Sequence, residues 1–268
     1  MSALRAAIES VGVLGPGLPD WPATARVLCG AAAWERAVTV LPPPLTLPPA
    51  ERRRTGAVVR LTLAAGLEAT GRAGVDPARL PAVFSSSGGD GQNCHEICET
   101  LASADRQLSP TRFHNSVHNA PAGYWGIATG ATAAANSLCA HDASFGAGLL
   151  EAMCQVEVEG TPVLLIAYDM SYPEPMRSVR SIPDAFAVAL LLAPVTTGRG
   201  LAHIGVSLGD GPADRVDDAA LEQLRVTVPA ARSLPLLAHL ARGTCGRVRI
   251  DYLDGARLAL EVTHAAGS

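Results

Sequence analysis

The sequence predicts a layered α/β protein in which helices cover a sheet. Two segments, "TPVLLIAYD" (161–169) and "DAFAVALLLAP" (184–194), are near-continuous apolar runs of strand length, the pattern of strands buried on both faces. Strand-like runs of this kind alternate along the chain with longer segments of helical character. Hydrophobic residues make up 48% of the 268 positions and charged residues 17%, enough apolar material for a sizeable core and too much for a disordered chain. Aromatics are only 4%, so Ala, Val and Leu must fill that core.

In chain order, "VGVLGPGLPDW" (11–21) reads as a strand followed by a Gly/Pro turn. The proline-rich "LPPPLTLPPAERRRTG" (41–56) approaches a helix with Val58, Leu61, Ala64, Ala65, Leu67 and Ala69 on one side and Gly71 and Gly74 at its end. "PAVFSSSGGDG" (81–91) is a short buried strand entering a Gly-rich turn, and "QNCHEICETLASA" (92–104) is a helix. "FHNSVHNAPAG" (113–123) reads as loop until helical "YWGIATGATAAA" begins, and a strand follows near 134–139. A turn around Asp142 leads into the helix "ASFGAGLLEAMCQVEV". Between the two apolar strands lies the loop "SYPEPMRS". The last 74 residues hold a Gly/Asp/Pro-rich stretch (198–218), one or two helices (219–243), and a hairpin turning at Asp254-Gly255. No short-period repeat is present.

Composition excludes several functions. Net charge is −4, and the strongest basic cluster is Arg52-Arg53-Arg54, so nucleic-acid binding has little support. All 21 basic residues are arginine, a bias typical of GC-rich bacterial genomes, which removes Schiff-base and Ser-Lys chemistry from this chain. The six cysteines are irregularly spaced behind an N-terminus without a clean apolar signal core, so reduced thiols and a cytoplasmic location are expected. The longest apolar run has 11 residues, too few to span a membrane.

Each candidate site competes with a plainer reading. Cys94-His95-x-x-Cys98 lacks a second ligand pair, and on a helix His95 points away from the face of the two thiols, so no metal site is expected. His114 and His118 have zincin-like spacing without the glutamate, and hydrogen bonding within a buried loop is the better reading. "SSSGGDGQN" lacks the lysine of a phosphate loop and reads as a turn needing backbone freedom. "SLCAHDASFG" (137–146) places Cys139, His141 and Asp142 together, the raw material of a thiol nucleophile and its base. Cys139, however, sits at a strand end and not at a helix N-terminus, where a thiol gains reactivity. Asp142 reads as an N-cap of the following helix.

The order of these elements resembles the β-ketoacyl synthases, which have the thiolase fold. In that family an Asn after "MP" begins a run, a Gly follows four residues later, and the run ends at the "ACAS" cysteine heading a helix that closes in "A-I-x-E-A". Here Asn119, Gly123 and Gly130 fit the run and "AGLLEA" (147–152) fits the helix. Without gaps, "HDAS" stands where "ACAS" would, so the nucleophile position falls on Asp142, with Cys139 three residues early. "SVGVLGPGLPDW", "PAERRRTGAVVRLTLAAGLEATGRAGVD", "VFSSSGGDG" and "DAFAVALLLAP" resemble the opening strand, first helix, "GTGxGG" turn and "GEGAGxLVLE" strand, in order.

The resemblance implies a thiolase-like layered α-β-α fold truncated in its C-terminal half, with residues 1–195 as the synthase-like N-terminal half and 196–268 completing the same domain. The nucleophile is absent, and His203, His239 and His264 match neither the "HGT" nor the "GH" motif. That pattern resembles the chain length factor type, more narrowly the short ketoacyl synthase-like N-terminal domain proteins of aryl polyene and related type II polyketide systems. It implies a subunit without catalysis or cofactor that pairs with an active ketosynthase, meets acyl carrier protein through that complex, and shapes the acyl tunnel. By the family's layout, helix 92–104 and segment 119–139 face the partner, which makes Ile97, Leu101, Tyr124 and Trp125 tunnel or interface candidates. Two alternatives stay open: an acyltransferase or thioesterase-like enzyme using Cys139 with His141, and a module that docks acyl carrier protein.

Overall fold

The computed structural model describes residues 4–198 and 200–264. In chain order the elements are β1 (Leu4–Leu14), α1 (Trp21–Leu28), the single turn α2 (Pro49–Arg52), α3 (Ala57–Ala73), β2 (Ala82–Ser85), α4 (Gly91–Ala102), α5 (Pro110–Asn115), α6 (Ala120–Thr129), β3 (Ala135–Leu138) and α7 (Ser144–Glu159). Then follow β4 (Val163–Asp169), the single turn α8 (Met176–Val179), β5 (Phe186–Ala193), β6 (Ala202–Gly209), α9 (Ala219–Thr227), α10 (Leu234–Arg242), β7 (Gly246–Asp251) and β8 (Arg257–Thr263).

All eight strands form one mixed sheet in the order β3-β2-β4-β5-β1-β6-β8-β7. β2 runs parallel to β3 and β4, and every other neighbouring pair is antiparallel. β4 and β5 are buried at every residue, as their unbroken apolar sequences require. One core lies between the sheet and α3 with α6; the other lies between the opposite face and α1, α7, α9 and α10. The result is the expected α-β-α layering, and β6, β7 and β8 extend the same sheet across residue 195.

Helix α3 ends where the sequence indicates: Gly74 adopts φ 66, and its N–H closes the last turn. Its buried face is Val58, Leu61, Ala65 and Ala69, with Ala64 and Leu67 only partly covered.

Several boundaries differ from the sequence reading. β1 begins at Leu4, seven residues before position 11, and becomes a central strand of the sheet. Residues 113–123 are not all loop, because Pro110 opens α5, which runs to Asn115. The helix expected over 124–135 stops at Thr129, because Gly130 turns left-handed at φ 72. The Gly/Asp/Pro-rich stretch 198–218 contains β6, whose Ala202, Ile204 and Val206 alternate inward between flanking glycines. The hairpin at Asp254-Gly255 forms as read, between β7 and β8.

Candidate functional site

Three parallel strands, β3, β2 and β4, end side by side, and the loops leaving their carboxyl ends meet. Open α/β sheets place their sites at such ends. Helix α7 comes in close to β2 because Gly148 has no side chain: a Cβ there would lie 2.7 Å from the Ser85 Cβ. Ser85 Oγ then donates to the Ser144 carbonyl at 2.6 Å.

The turn between β3 and α7 is tight. His141 takes φ 51, a left-handed conformation unusual for a residue with a side chain. His141–Ala143 form one turn of 3₁₀ helix before α7 begins at Ser144. This corrects the expected role of Asp142. Its carboxylate accepts no backbone N–H; the Ser144 hydroxyl instead accepts from Ala140 N at 3.1 Å and donates to the His141 carbonyl at 2.7 Å. The inserted 3₁₀ turn moves Asp142 off the helix end that it would have capped.

Asp142 is held by two arginines instead. Arg180 Nη2 donates to Oδ1 at 2.5 Å and Arg232 Nη2 to Oδ2 at 3.1 Å, while His141 Nδ1 lies 3.6 Å from Oδ1. Arg180 comes from the loop after α8, and Arg232 from the short helical turn Pro229–Ser233 ahead of α10. Arg177, three residues before Arg180, pairs instead with Glu174. The ion pairs continue inward. Arg232 Nη1 is 3.9 Å from Asp251, which also takes Arg225 at 2.8 Å and Arg257 at 3.6 Å. Arg225 grips Glu222 with two bonds of 2.8 Å, and hydrogen bonding from Arg225 holds the Glu222 carboxyl down at about 2.

Asp169 anchors the same region from below. It is fully buried at the end of β4. Ser87 N and Ser87 Oγ donate to its Oδ1 at 2.9 and 2.5 Å, and Ala230 N donates to Oδ2 at 2.8 Å. One carboxylate thus ties the loop after β2 to the turn that carries Arg232. Desolvation pushes its pKa up to about 6, against the lowering effect of these donors.

The other sequence candidates resolve individually. The Cys139 thiol is exposed and donates to the Ser87 carbonyl at 3.3 Å. His141 faces Asp142, and among the described residues no hydrogen bond joins it to Cys139. His118 bonds the Leu138 carbonyl at 3.1 Å, while His114 stacks edge-on against Tyr124, so the two do not converge. The amides of "SSSGGDGQN" are already used: Ser86 Oγ accepts from Gly89 N at 2.9 Å and Asp169 from Ser87 N, which leaves an acid where a phosphate would sit. His95 pairs with Glu99, and Cys94 and Cys98 are exposed; among the described residues no group of three or more His, Cys, Asp or Glu could hold a metal ion.

Of the tunnel or interface candidates, Leu101 is exposed and Ile97 half-buried on α4. Tyr124 and Trp125 are core residues: Tyr124 donates to Asn115 at 3.1 Å, and Trp125 packs edge-on against Phe84 over Gly66. Asn119 precedes α6 without capping it through its side chain, and Gly123 has open space around it. Sequence reasoning passed over Phe113, Val117 and Ile127, which are large, apolar and exposed, the last two near the edge strand β3.

An eight-stranded mixed sheet between helical layers, with a strained turn leaving the edge of its parallel half, defines a thiolase-like fold. The β-ketoacyl synthase N-terminal domain model matches residues 30–243, and the chain belongs to that family. No curated protein matches it by sequence. Among solved structures, it is similar to a chain of the ketosynthase ApeO in complex with its chain length factor ApeC from Xenorhabdus doucetiae, with 25% identity and a TM-score of 0.72 over 96% of this chain and 99% of that one. The ishigamide ketosynthase/chain length factor matches with 14% identity and a TM-score of 0.74, over 98% and 100% of the two chains. A chain of the AntDE:AntF complex, a type II polyketide acyl carrier protein with its hexaketide-bound ketosynthase, matches with 12% identity and a TM-score of 0.77 over 99% and 100%. No helix among the described residues is long and apolar enough to cross a membrane.

Proposed function

We propose that this chain is a catalytically silent subunit of chain length factor type, which pairs with an active ketosynthase and helps shape the tunnel holding the growing acyl or polyene chain. The observation that carries this reading is Asp142. At the turn where the resemblance puts the family's nucleophile, this chain has a half-exposed carboxylate paired with two guanidinium groups. A carboxylate in that state is a poor acyl acceptor, and without acyl transfer to the protein covalent condensation has no first step.

The surface supports a partner on one side. At one end of the sheet, β7 is covered: Asp214 N donates to the Arg249 carbonyl at 2.9 Å, and Asp214 Oδ2 accepts from Arg249 N at 3.0 Å. At the other end, no described backbone segment pairs with the outer edge of β3. Val117, beside the His118 that bonds Leu138, and Ile127 on α6 lie exposed near it, and Leu101 and Phe113 are exposed on α4 and α5. An open edge with apolar neighbours suits association with a second thiolase-like chain. The similarity to the ApeO–ApeC complex, over nearly the whole length of both chains, agrees with that assignment.

Co-expression with an active ketosynthase of a type II polyketide system tests the reading. A stable 1:1 complex, with condensation by the pair and none by this chain alone, is expected. Turnover by the isolated chain, or two proteins that never associate, would refute it. Placing charges on these exposed apolar positions through Leu101→Asp with Ile127→Asp should weaken the pair at least about 30-fold, measured by biolayer interferometry. Both side chains are exposed, so the isolated fold should keep its melting temperature.

The enzyme alternative makes its own prediction. If Cys139 were an activated thiol, it would react with iodoacetamide far ahead of the other exposed cysteines. Its neighbour is a carbonyl oxygen and not a cation, so mass spectrometry should find Cys139 labelled at a rate within about tenfold of Cys29 and Cys245.

A further inference from the structure

We infer that Arg180 and Arg232 form a carboxylate-binding site whose resident ligand is the chain's own Asp142. The two guanidinium groups converge on one carboxylate from positions 38 and 90 residues away, each taking a different oxygen. The Arg232 side chain is 15% exposed, and its Nε is buried without a hydrogen-bond partner. Its charge therefore needs a close anion. Asp251 is not a sufficient one, because it stands 3.9 Å off and already serves Arg225 and Arg257. Removing the Asp142 carboxylate leaves two arginines facing each other across a vacancy of carboxylate size, lined by charge-assisted donors. Tethered two bonds from the backbone, Asp142 competes with any free acid at an effective concentration of about millimolar or more, so the intact chain keeps its site closed to acidic ligands.

The inference rests on Asp142 being held and not reacting. Its readout needs no ketosynthase, so it can fail while complex formation stands. The full chain carrying Asp142→Ala is melted in potassium acetate and in potassium chloride of equal ionic strength. Acetate should raise its melting temperature by about 2–4 °C beyond chloride, saturably. The wild-type chain and an Asp142→Ala/Arg180→Gln/Arg232→Gln chain should respond to the two salts alike. Asp142→Asn, which fills the space without charge, should respond less than Asp142→Ala. If Asp142→Ala accumulates only as insoluble protein, the same comparison is made at refolding, as soluble yield on dilution from urea into acetate or chloride. An acetate effect no larger than that of chloride in Asp142→Ala, or an equal one in the triple variant, overturns the assignment.

Discussion

Asp169→Ala should cost the fold about 3–5 kcal/mol, and the loss should be larger at pH 5 than at pH 8. The substitution strands two N–H groups, those of Ser87 and Ala230, in an interior that water does not reach. An unsatisfied buried donor costs about 1–3 kcal/mol, and the lost packing adds to that. The pH dependence follows from the carboxyl group itself. Burial raises its pKa to about 6, above the ordinary value of 3.8, so the folded chain binds this proton more tightly than the unfolded chain does. Its contribution is complete below the unfolded value and is lost as pH rises through about 6, a swing on the order of 2–3 kcal/mol. The proton has a place to go, since Ser87 Oγ, 2.5 Å from Oδ1, can turn from donor to acceptor. Urea unfolding of both proteins at pH 5, 6.5 and 8 measures the gap, and other titrating groups cancel in the difference. A gap that stays constant or widens with pH contradicts the account. Because Ala230 and Arg232 share one short turn, the variant should also loosen the clamp on Asp142.

The sequence made some of this legible and hid the rest for physical reasons. β4 and β5 announce themselves because both faces are buried, so nearly every side chain must be apolar. α3 is bounded by a glycine whose backbone conformation ends a helix. β6 is half-buried and short of bulky residues, so only its weak alternation marks it between glycines. The alignment of Asp142 with the family's nucleophile rests only on counting from Asn119 in the resemblance, since nothing local in the sequence distinguishes Asp142 from a helix cap. Its real partners, Arg180 and Arg232, could not be read at all: one comes from the residue after α8 and the other from the Pro229–Ser233 turn packed on β4 and β5, and sequence distance carries no trace of it. By the resemblance, Tyr124 and Trp125 are tunnel or interface candidates, because segment 119–139 is expected to face the partner. Both side chains are buried: Tyr124 donates to Asn115, and Trp125 fills the space over Gly66 against Phe84.

Gly12→Ala should cost about 3 kcal/mol or more, and Gly12→Val should leave no folded protein. A glycine inside a strand marks a close approach by another backbone, and here the partner is α3. A Cβ built on Gly12 would stand 2.1 Å from the Ala65 carbonyl oxygen and 2.9 Å from Ala69 N. Both are main-chain atoms of a helix, so no side chain can rotate away; the whole helix must move off the sheet. It cannot do so freely. Ser10 Oγ donates to the Ala69 carbonyl at 2.7 Å, and the Glu68 carboxylate accepts from Val13 N at 2.8 Å and Trp21 N at 2.7 Å, so both sides of Gly12 are stitched to α3. Backing the helix away breaks these bonds and opens the core formed by Leu61, Ala65 and Ala69, which is why the cost exceeds ordinary overpacking. Gly71, in the last turn of the same helix, has nothing within 4 Å of its would-be Cβ. Gly71→Ala should therefore be neutral or stabilise by about 0.5–1 kcal/mol through helix propensity alone. Opposite signs for the two alanine substitutions, measured by thermal unfolding, would locate the constraint in the β1–α3 approach; equal effects would show that the helix is free to shift.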